Sequence, residues 1–167
     1  MFAMTFLDPN THTIWKSALL DGHTDAPFAA AVGETLANIH IATLDDPETA
    51  RHFASDQIFH AIRLEPYLLA TARAHPDVAP ALLDLVTVTA CSKIALVHGD
   101  VSPKNILMGP AGPVFLDAEC AWYGDPAFDL AFCLNHFLLK CIYRPTISEA
   151  YFDDFLSMTR SYLAAIA

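Results

Sequence analysis

Apolar residues recur at helical spacing in five separate stretches of the chain, and this period predicts an amphipathic helix for each. The predicted helices cover residues 25–42, 56–73, 79–92, 126–141 and 148–167. Asp46–Pro47 and Asp125–Pro126 each have the sequence of a helix start, with Asp as the N-cap and Pro at the first helical position. Pro66 predicts a kink or a boundary in the second helix. The helix 126–141 is apolar around most of its circumference, so we expect it to be buried centrally.

Short apolar runs of strand length cluster in residues 94–117, where the helical period stops. The predicted strands are residues 94–97, 105–108 and 113–117, and Gly109–Gly112 between the last two is typical of a hairpin turn. The first eight residues also form an apolar, aromatic run that ends at a turn sequence, which predicts another strand. The sum is an α+β fold that is mainly helical.

Composition narrows the classes of protein that fit this pattern. The 167 residues are 54% hydrophobic and 17% charged, which excludes an intrinsically disordered chain and fits one domain. The net charge of −10 argues against a nucleic-acid partner. No window supplies the run of about 20 apolar residues that a spanning helix needs, and no secretory signal is recognisable. We therefore expect a cytoplasmic protein that does not associate with membranes.

The predicted strands and their loops hold a dense set of polar residues. Asp100 follows one strand, Asn105 begins the next, and Asp117 ends the strand paired with it. A hairpin can bring Asn105 and Asp117 near each other, and oxygen ligands from neighbouring strand ends suit Mg²⁺. Asp100 is then a candidate general base. Each residue alone also fits ordinary turn chemistry, but the Asp-x-x-x-x-Asn spacing is that of a kinase catalytic loop.

Three motifs carry a resemblance to a known family. Residues 98–105 read HGDVSPKN, residues 116–119 read LDAE, and residues 124–131 read GDPAFDLA. Their order and spacing resemble the aminoglycoside phosphotransferase and choline kinase-like family, which has the protein-kinase-like fold. The Asp-x-Glu form of the second motif is similar to that of methylthioribose kinases. Residues 2–7 resemble the hinge strand of the fold, and residues 31–40 resemble the helix that follows it.

The resemblance implies a role for each matching residue of the catalytic and metal motifs. Asp100 would be the catalytic base or would orient the substrate. Asn105 and Asp117 would bind Mg²⁺, and Glu119 would be a further metal ligand. Transfer of the ATP γ-phosphoryl group to a small-molecule hydroxyl would follow.

The same resemblance implies supporting roles elsewhere in the chain. Met4 and Phe6 would lie in the hinge strand that receives the adenine of ATP. Asp129 would accept hydrogen bonds from the backbone around His98, because a buried carboxylate needs such donors. His98 itself would be a scaffold residue.

The chain departs from the family pattern in one large respect. A kinase fold has a Gly-rich loop over the phosphates and a lysine paired with a helix glutamate, yet the six glycines here form no such array and the first lysine is Lys16. We expect residues 1–8 to be the hinge strand, residues 9–167 to be the C-terminal lobe, and the N-terminal lobe to be absent. Binding of Mg·ATP would then be weak and transfer slow or undetectable. An exposed hinge strand would favour a homodimer or the missing lobe as partner.

Two other functions fit parts of the sequence. The chain could be a non-catalytic remnant that keeps the lobe's fold as a binding or scaffolding module. The same carboxylates could also serve a metal-dependent hydrolase, although no His-rich cluster accompanies them. An Asp117→Ala variant distinguishes a binding or scaffolding module from a kinase, because only a kinase would lose affinity for Mg·ATP.

Overall fold

A computed structural model describes residues 5–167 and has an α+β architecture that is mainly helical. The helices are α1 (Trp15–Asp21), α2 (Ala26–Ala42), α3 (Pro47–His52), α4 (Asp56–Phe59), a π-helix (His60–Leu69), α5 (Ala70–Ala74), α6 (Ala79–Cys91), α7 (Ala127–Tyr143) and α8 (Ser148–Ile166). The strands are β1 (Thr13–Ile14), β2 (Ala95–Val97), β3 (Ile106–Gly109), β4 (Gly112–Phe115) and β5 (Trp122–Gly124). The predicted fold class is therefore confirmed.

The chain forms two compact units, and each has its own core. The first unit contains the described residues up to Ala37, together with Val101–Leu116 and Phe132–Ala167. The second unit contains Asn38–Asp100 and Asp117–Ala131. The catalytic-loop motif thus begins in the second unit and continues into the first.

The first unit is built around Trp15, which is fully buried at the start of α1. Its indole ring contacts Phe28 of α2 and Phe137 of α7 edge-on, at 5.2 and 5.4 Å between ring centroids. Gly33 of α2 faces the backbone of α8, because a Cβ there would lie 2.4 Å from the Met158 carbonyl oxygen. In the same unit β1, β3 and β4 form an antiparallel sheet in that order.

The second unit has a core of Phe59, Leu64, Val97 and Trp122. The rings of Phe59 and Trp122 are stacked with their centroids 4.0 Å apart. Strands β2 and β5 pair antiparallel, with Val97 opposite Trp122. Because the segment before Asp100 is a buried strand tied to this core, the position of Asp100 is fixed by packing rather than by a surface loop.

Several predicted elements are present where the sequence placed them. The helices α2, α6 and α8 and the β3–β4 hairpin match their predicted residues closely. Asp46 caps α3 by accepting hydrogen bonds from the backbone of Glu48 and Thr49, and Pro47 occupies the first turn. Asp125 likewise accepts a hydrogen bond from the Ala127 N–H at the start of α7.

Other predictions need correction. Residues 5–8 have no regular secondary structure, and residues 1–4 of the predicted first strand lie outside the described residues. No strand of residues 5–167 pairs with residues 5–8. Phe6 is 82% exposed, so burial of its side chain does not favour an extended, paired backbone there. The sequence analysis missed β1, α1 and β5, because each is too short to show a period.

The helix α7 is not buried on all sides, contrary to the prediction. Asp129, Cys133, Phe137 and Lys140 form its buried face. Ile142, at the other side, is 77% exposed. An apolar circumference permits central burial, but neighbouring elements cover only one face of this helix. No helix in residues 5–167 combines the length and apolar character needed to cross a membrane.

One buried carboxylate makes stability depend on pH. The pKa of Asp154 is raised from 3.8 to about 6, mainly by burial; the charges of Asp25 and Asp153 add to the rise, and a hydrogen bond from the Asp25 N–H opposes it. The folded state therefore binds a proton more tightly than the unfolded state. The stability that this tighter proton binding contributes is fully present below pH 3.8 and is lost as the pH rises through about 6.

We expect Asp154→Asn to stabilise the chain above the pKa of Asp154, by roughly 1–3 kcal/mol, because the variant removes a buried charge. Urea unfolding on either side of that pKa measures the effect. Asp84→Asn is the control, since Asp84 is exposed on α6 and is not among the charges that act on Asp154. An Asp154→Asn variant with the same pH dependence as the wild type would contradict this assignment.

Candidate active site

Asp129 organises the backbone of the catalytic-loop motif. This carboxylate is fully buried at the start of α7 and accepts hydrogen bonds from the N–H groups of His98, at 2.7 Å, and Gly99, at 2.8 Å. Nε2 of His40 on α2 lies 3.4 Å from the same carboxylate. The hydrogen bonds that the resemblance implied for Asp129 are therefore present, and His40 is an additional buried partner.

The loop turns sharply between β2 and Asp100. Gly99 has a φ of 78°, and a Cβ at this position would lie 2.6 Å from the carbonyl oxygen of Cys120. Only glycine allows both this conformation and this close approach. The Asp100 N–H donates to Nδ1 of His98 at 3.3 Å. Asp100 is 7% exposed and lies beside the Ala118–Cys120 turn.

Arg63, in the π-helix, forms an ion pair with Asp100. Its Nη2 lies 3.4 Å from Oδ2 of Asp100 and donates to Sγ of Cys120 at 3.1 Å. Its Nε donates to the carbonyl oxygen of Gly99. The guanidinium group therefore joins the catalytic-loop motif to the turn that follows Asp117.

Asp117 and Glu119 lie on that turn as exposed carboxylates. Asp117 has a left-handed backbone, with φ 65°, which few residues other than glycine, Asn and Asp adopt. Burial raises the pKa of the neighbouring Cys120 thiol, and the charge of Arg63 partly opposes that rise. No group of three or more His, Cys, Asp or Glu side chains suited to a metal is found in residues 5–167. Mg²⁺ does not need one, because it retains waters and takes one or two carboxylates together with phosphate oxygens. The exposed oxygen donors fit that chemistry.

Asn105 belongs to the first unit, where it ends a 3₁₀ turn before β3. It is 7% exposed; its N–H donates to the Ser102 carbonyl at 2.9 Å, and its own carbonyl accepts from Leu116 N–H at 2.8 Å. Leu116 is the last residue before Asp117 in the chain. Lys104, beside Asn105, is exposed.

Of the two residues that the resemblance assigns to adenine binding, only Phe6 lies in the described part of the chain. Met4 lies outside the described residues. Phe6 is largely exposed in a segment without regular secondary structure.

Two cavities of about 440 and 430 Å³ in the second unit are both lined by Asp56 and Lys93, and none of the predicted site residues lines either one.

Sequence reasoning missed Arg63 and His40. Arg63 precedes Gly99 by 36 residues, and His40 precedes Asp129 by 89. His40 ends the segment 31–40 that resembles a helix of the family, and Arg63 belongs to no motif; for both, only the folded chain shows which loop they contact. One indirect signal was available for Arg63: Pro66 marks its helix as irregular, and the segment around it is a π-helix.

Comparison with models of known protein families gives a match over most of the chain. A model described as the phosphotransferase enzyme family matches residues 1–162, which is nearly the whole chain. No curated protein matches the chain significantly.

Proposed function

Because the chain belongs to the phosphotransferase enzyme family, we propose that it transfers the γ-phosphoryl group of ATP to a hydroxyl group of a small molecule. The observation that supports this most is the arrangement around Asp100. Its carboxylate is held on a loop that Asp129 fixes from one element and Arg63 from another. A carboxylate fixed in this way is ready to orient an acceptor hydroxyl without reorganisation.

The proposed reaction is an in-line displacement. The acceptor oxygen forms a bond to the γ-phosphorus, the bond to the β–γ bridging oxygen breaks, and ADP leaves with the bonding electron pair. Asp100 accepts the proton of the acceptor hydroxyl. The low exposure of Asp100 limits competition from water for that position.

Asp117 and Glu119 would hold Mg²⁺ in this proposal. The bound ion supplies neutralisation of the phosphate charge. The exposure of both carboxylates supports the assignment, because Mg²⁺ retains waters and is bound through one or two carboxylates together with phosphate oxygens.

We also propose that the 167-residue chain alone transfers slowly. Its six glycines include no Gly-rich phosphate loop, so the contacts to ATP come from the catalytic and metal motifs. Positioning of the γ-phosphate is then incomplete, and positioning is the main source of rate in this chemistry.

Asp117→Asn tests the metal assignment. Asparagine tolerates the left-handed backbone, so this variant removes a charge with little change of conformation. We expect the affinity for Mn·ATP, measured by electron paramagnetic resonance, to fall by about tenfold or more, because ligand charge sets affinity for a hard cation.

Asp45→Asn is the matched control, because Asp45 is also exposed and also has a positive φ, of 50°. We expect this control to bind Mn·ATP like the wild type. If Asp117→Asn also binds like the wild type, the metal assignment fails and a scaffolding function becomes the better explanation.

A further inference from the structure

The guanidinium group of Arg63 uses each of its nitrogens on a different backbone or side-chain partner. Nε donates to the Gly99 carbonyl, and Nη1 donates to the Ile62 carbonyl at 3.0 Å. Nη2 lies between the Asp100 carboxylate, at 3.4 Å, and Cys120 Sγ, at 3.1 Å. A planar fork held at several points has little freedom to rotate.

Burial strengthens the pairing of Arg63 with Asp100. The exposed fraction of each side chain is 11%. Arginine does not lose its proton in proteins, so a positive charge stays beside the Asp100 carboxyl group. Removing one partner from such a pair leaves the other buried without compensation, and the remaining group moves towards water or another partner.

The π-helix explains how Arg63 reaches the loop. Pro66 has no N–H to donate within the helix, and the Ala70 N–H bonds to the carbonyl of Glu65, five residues back. The wider turn changes the direction of side chains relative to a regular α-helix. Arg63, in this π-helix, contacts Gly99, while Arg73, in α5, forms an exposed pair with Glu65.

From these contacts, and resting on the proposed function, we propose that Arg63 is a positioning residue for phosphoryl transfer. It fixes the Asp100 carboxylate, and through Gly99 and Cys120 it ties the catalytic loop to the turn that carries Asp117 and Glu119. The proton acceptor and the two carboxylate metal ligands thereby depend on one side chain.

Arg63→Ala tests this proposal through activity. We expect kcat to fall about 100-fold, as for a small misplacement of a catalytic group, while KM for ATP changes by less than about threefold. Guanidinium ion at low millimolar, non-denaturing concentration is expected to restore about tenfold or more of the lost rate, because it can occupy the vacated site. A purely structural loss would not respond to added guanidinium.

A second arm does not depend on activity. Hydrogen exchange monitored by mass spectrometry is expected to accelerate by about tenfold in residues 98–101 and 118–120 of Arg63→Ala, and to stay unchanged in α8. Arg73→Ala is the matched control, because it lies near Arg63 in sequence and its pair with Glu65 is exposed. We expect that control to match the wild type in both arms.

The two arms separate failure of this inference from failure of the proposed function. If the wild type transfers no phosphoryl group, the proposed function fails, and the exchange arm still tests the tie. Unchanged exchange in residues 98–101 would overturn the tie itself. A kcat within about twofold of the wild type, or a loss that guanidinium does not restore, would overturn the positioning role.

Discussion

Replacing Asp100 with asparagine is expected to lower kcat for phosphoryl transfer by about 10²–10⁴-fold, which is the usual contribution of a positioned base. The variant keeps the size of the side chain and an oxygen that can pair with Arg63, which lies 3.4 Å away. It removes the negative charge and with it the capacity to accept a proton. We expect KM for ATP to change little, because Asp100 is assigned to the acceptor hydroxyl and not to the nucleotide. Steady-state kinetics on the purified variant measures kcat and KM for ATP.

Asp84→Asn serves as the control for Asp100→Asn, because Asp84 is exposed on α6. It makes the same chemical change, and we expect it to leave kcat unaltered. A kcat for Asp100→Asn equal to that of Asp84→Asn would show that Asp100 is not the proton acceptor.

The largest loss of stability is expected from Asp129→Ala. This variant leaves two buried backbone N–H groups, those of His98 and Gly99, without their charged acceptor. Each charge-assisted hydrogen bond contributes about 1.5–3 kcal/mol, so the free energy of unfolding should fall by roughly 3–5 kcal/mol. Urea unfolding measures the loss if the variant folds.

Asp129→Asn keeps one acceptor and serves if the alanine variant does not fold. Its amide group leaves one of the two N–H groups unpaired, so a loss of about 1–3 kcal/mol is expected. Both variants should also lose transfer activity, since the loop before Asp100 is no longer fixed. Unfolding of Asp129→Ala within about 0.5 kcal/mol of the wild type would contradict the role assigned to this carboxylate.

Local chemistry in the sequence was enough to predict much of the fold. Asp46 before Pro47 and Asp125 before Pro126 predicted two helix starts, because capping depends only on adjacent residues. The two glycines at 109 and 112 predicted the hairpin for the same reason. The motif residues also indicated the family, which the match over residues 1–162 then showed.

The remaining features depend on which elements become neighbours. The pairing of β2 with β5 involves three residues in each strand, too few for a period to appear in the sequence. Exposure of Ile142 on α7 reflects what lies beside that helix rather than its own composition. The contact of Arg63 with Asp100 was not predicted for a similar reason, because a cation distant in sequence from its carboxylate partner has no local pattern.

The central claim is that this chain transfers the γ-phosphoryl group of ATP to a hydroxyl, and ³¹P nuclear magnetic resonance tests it most directly. The 167-residue chain is incubated with Mg·ATP and a panel of small hydroxyl compounds, with Asp100→Asn as the blank. The account predicts a new phosphate monoester resonance that grows slowly with equivalent ADP and is missing in the blank. ADP that appears with inorganic phosphate alone, or an ester that forms equally with Asp100→Asn, would contradict the account.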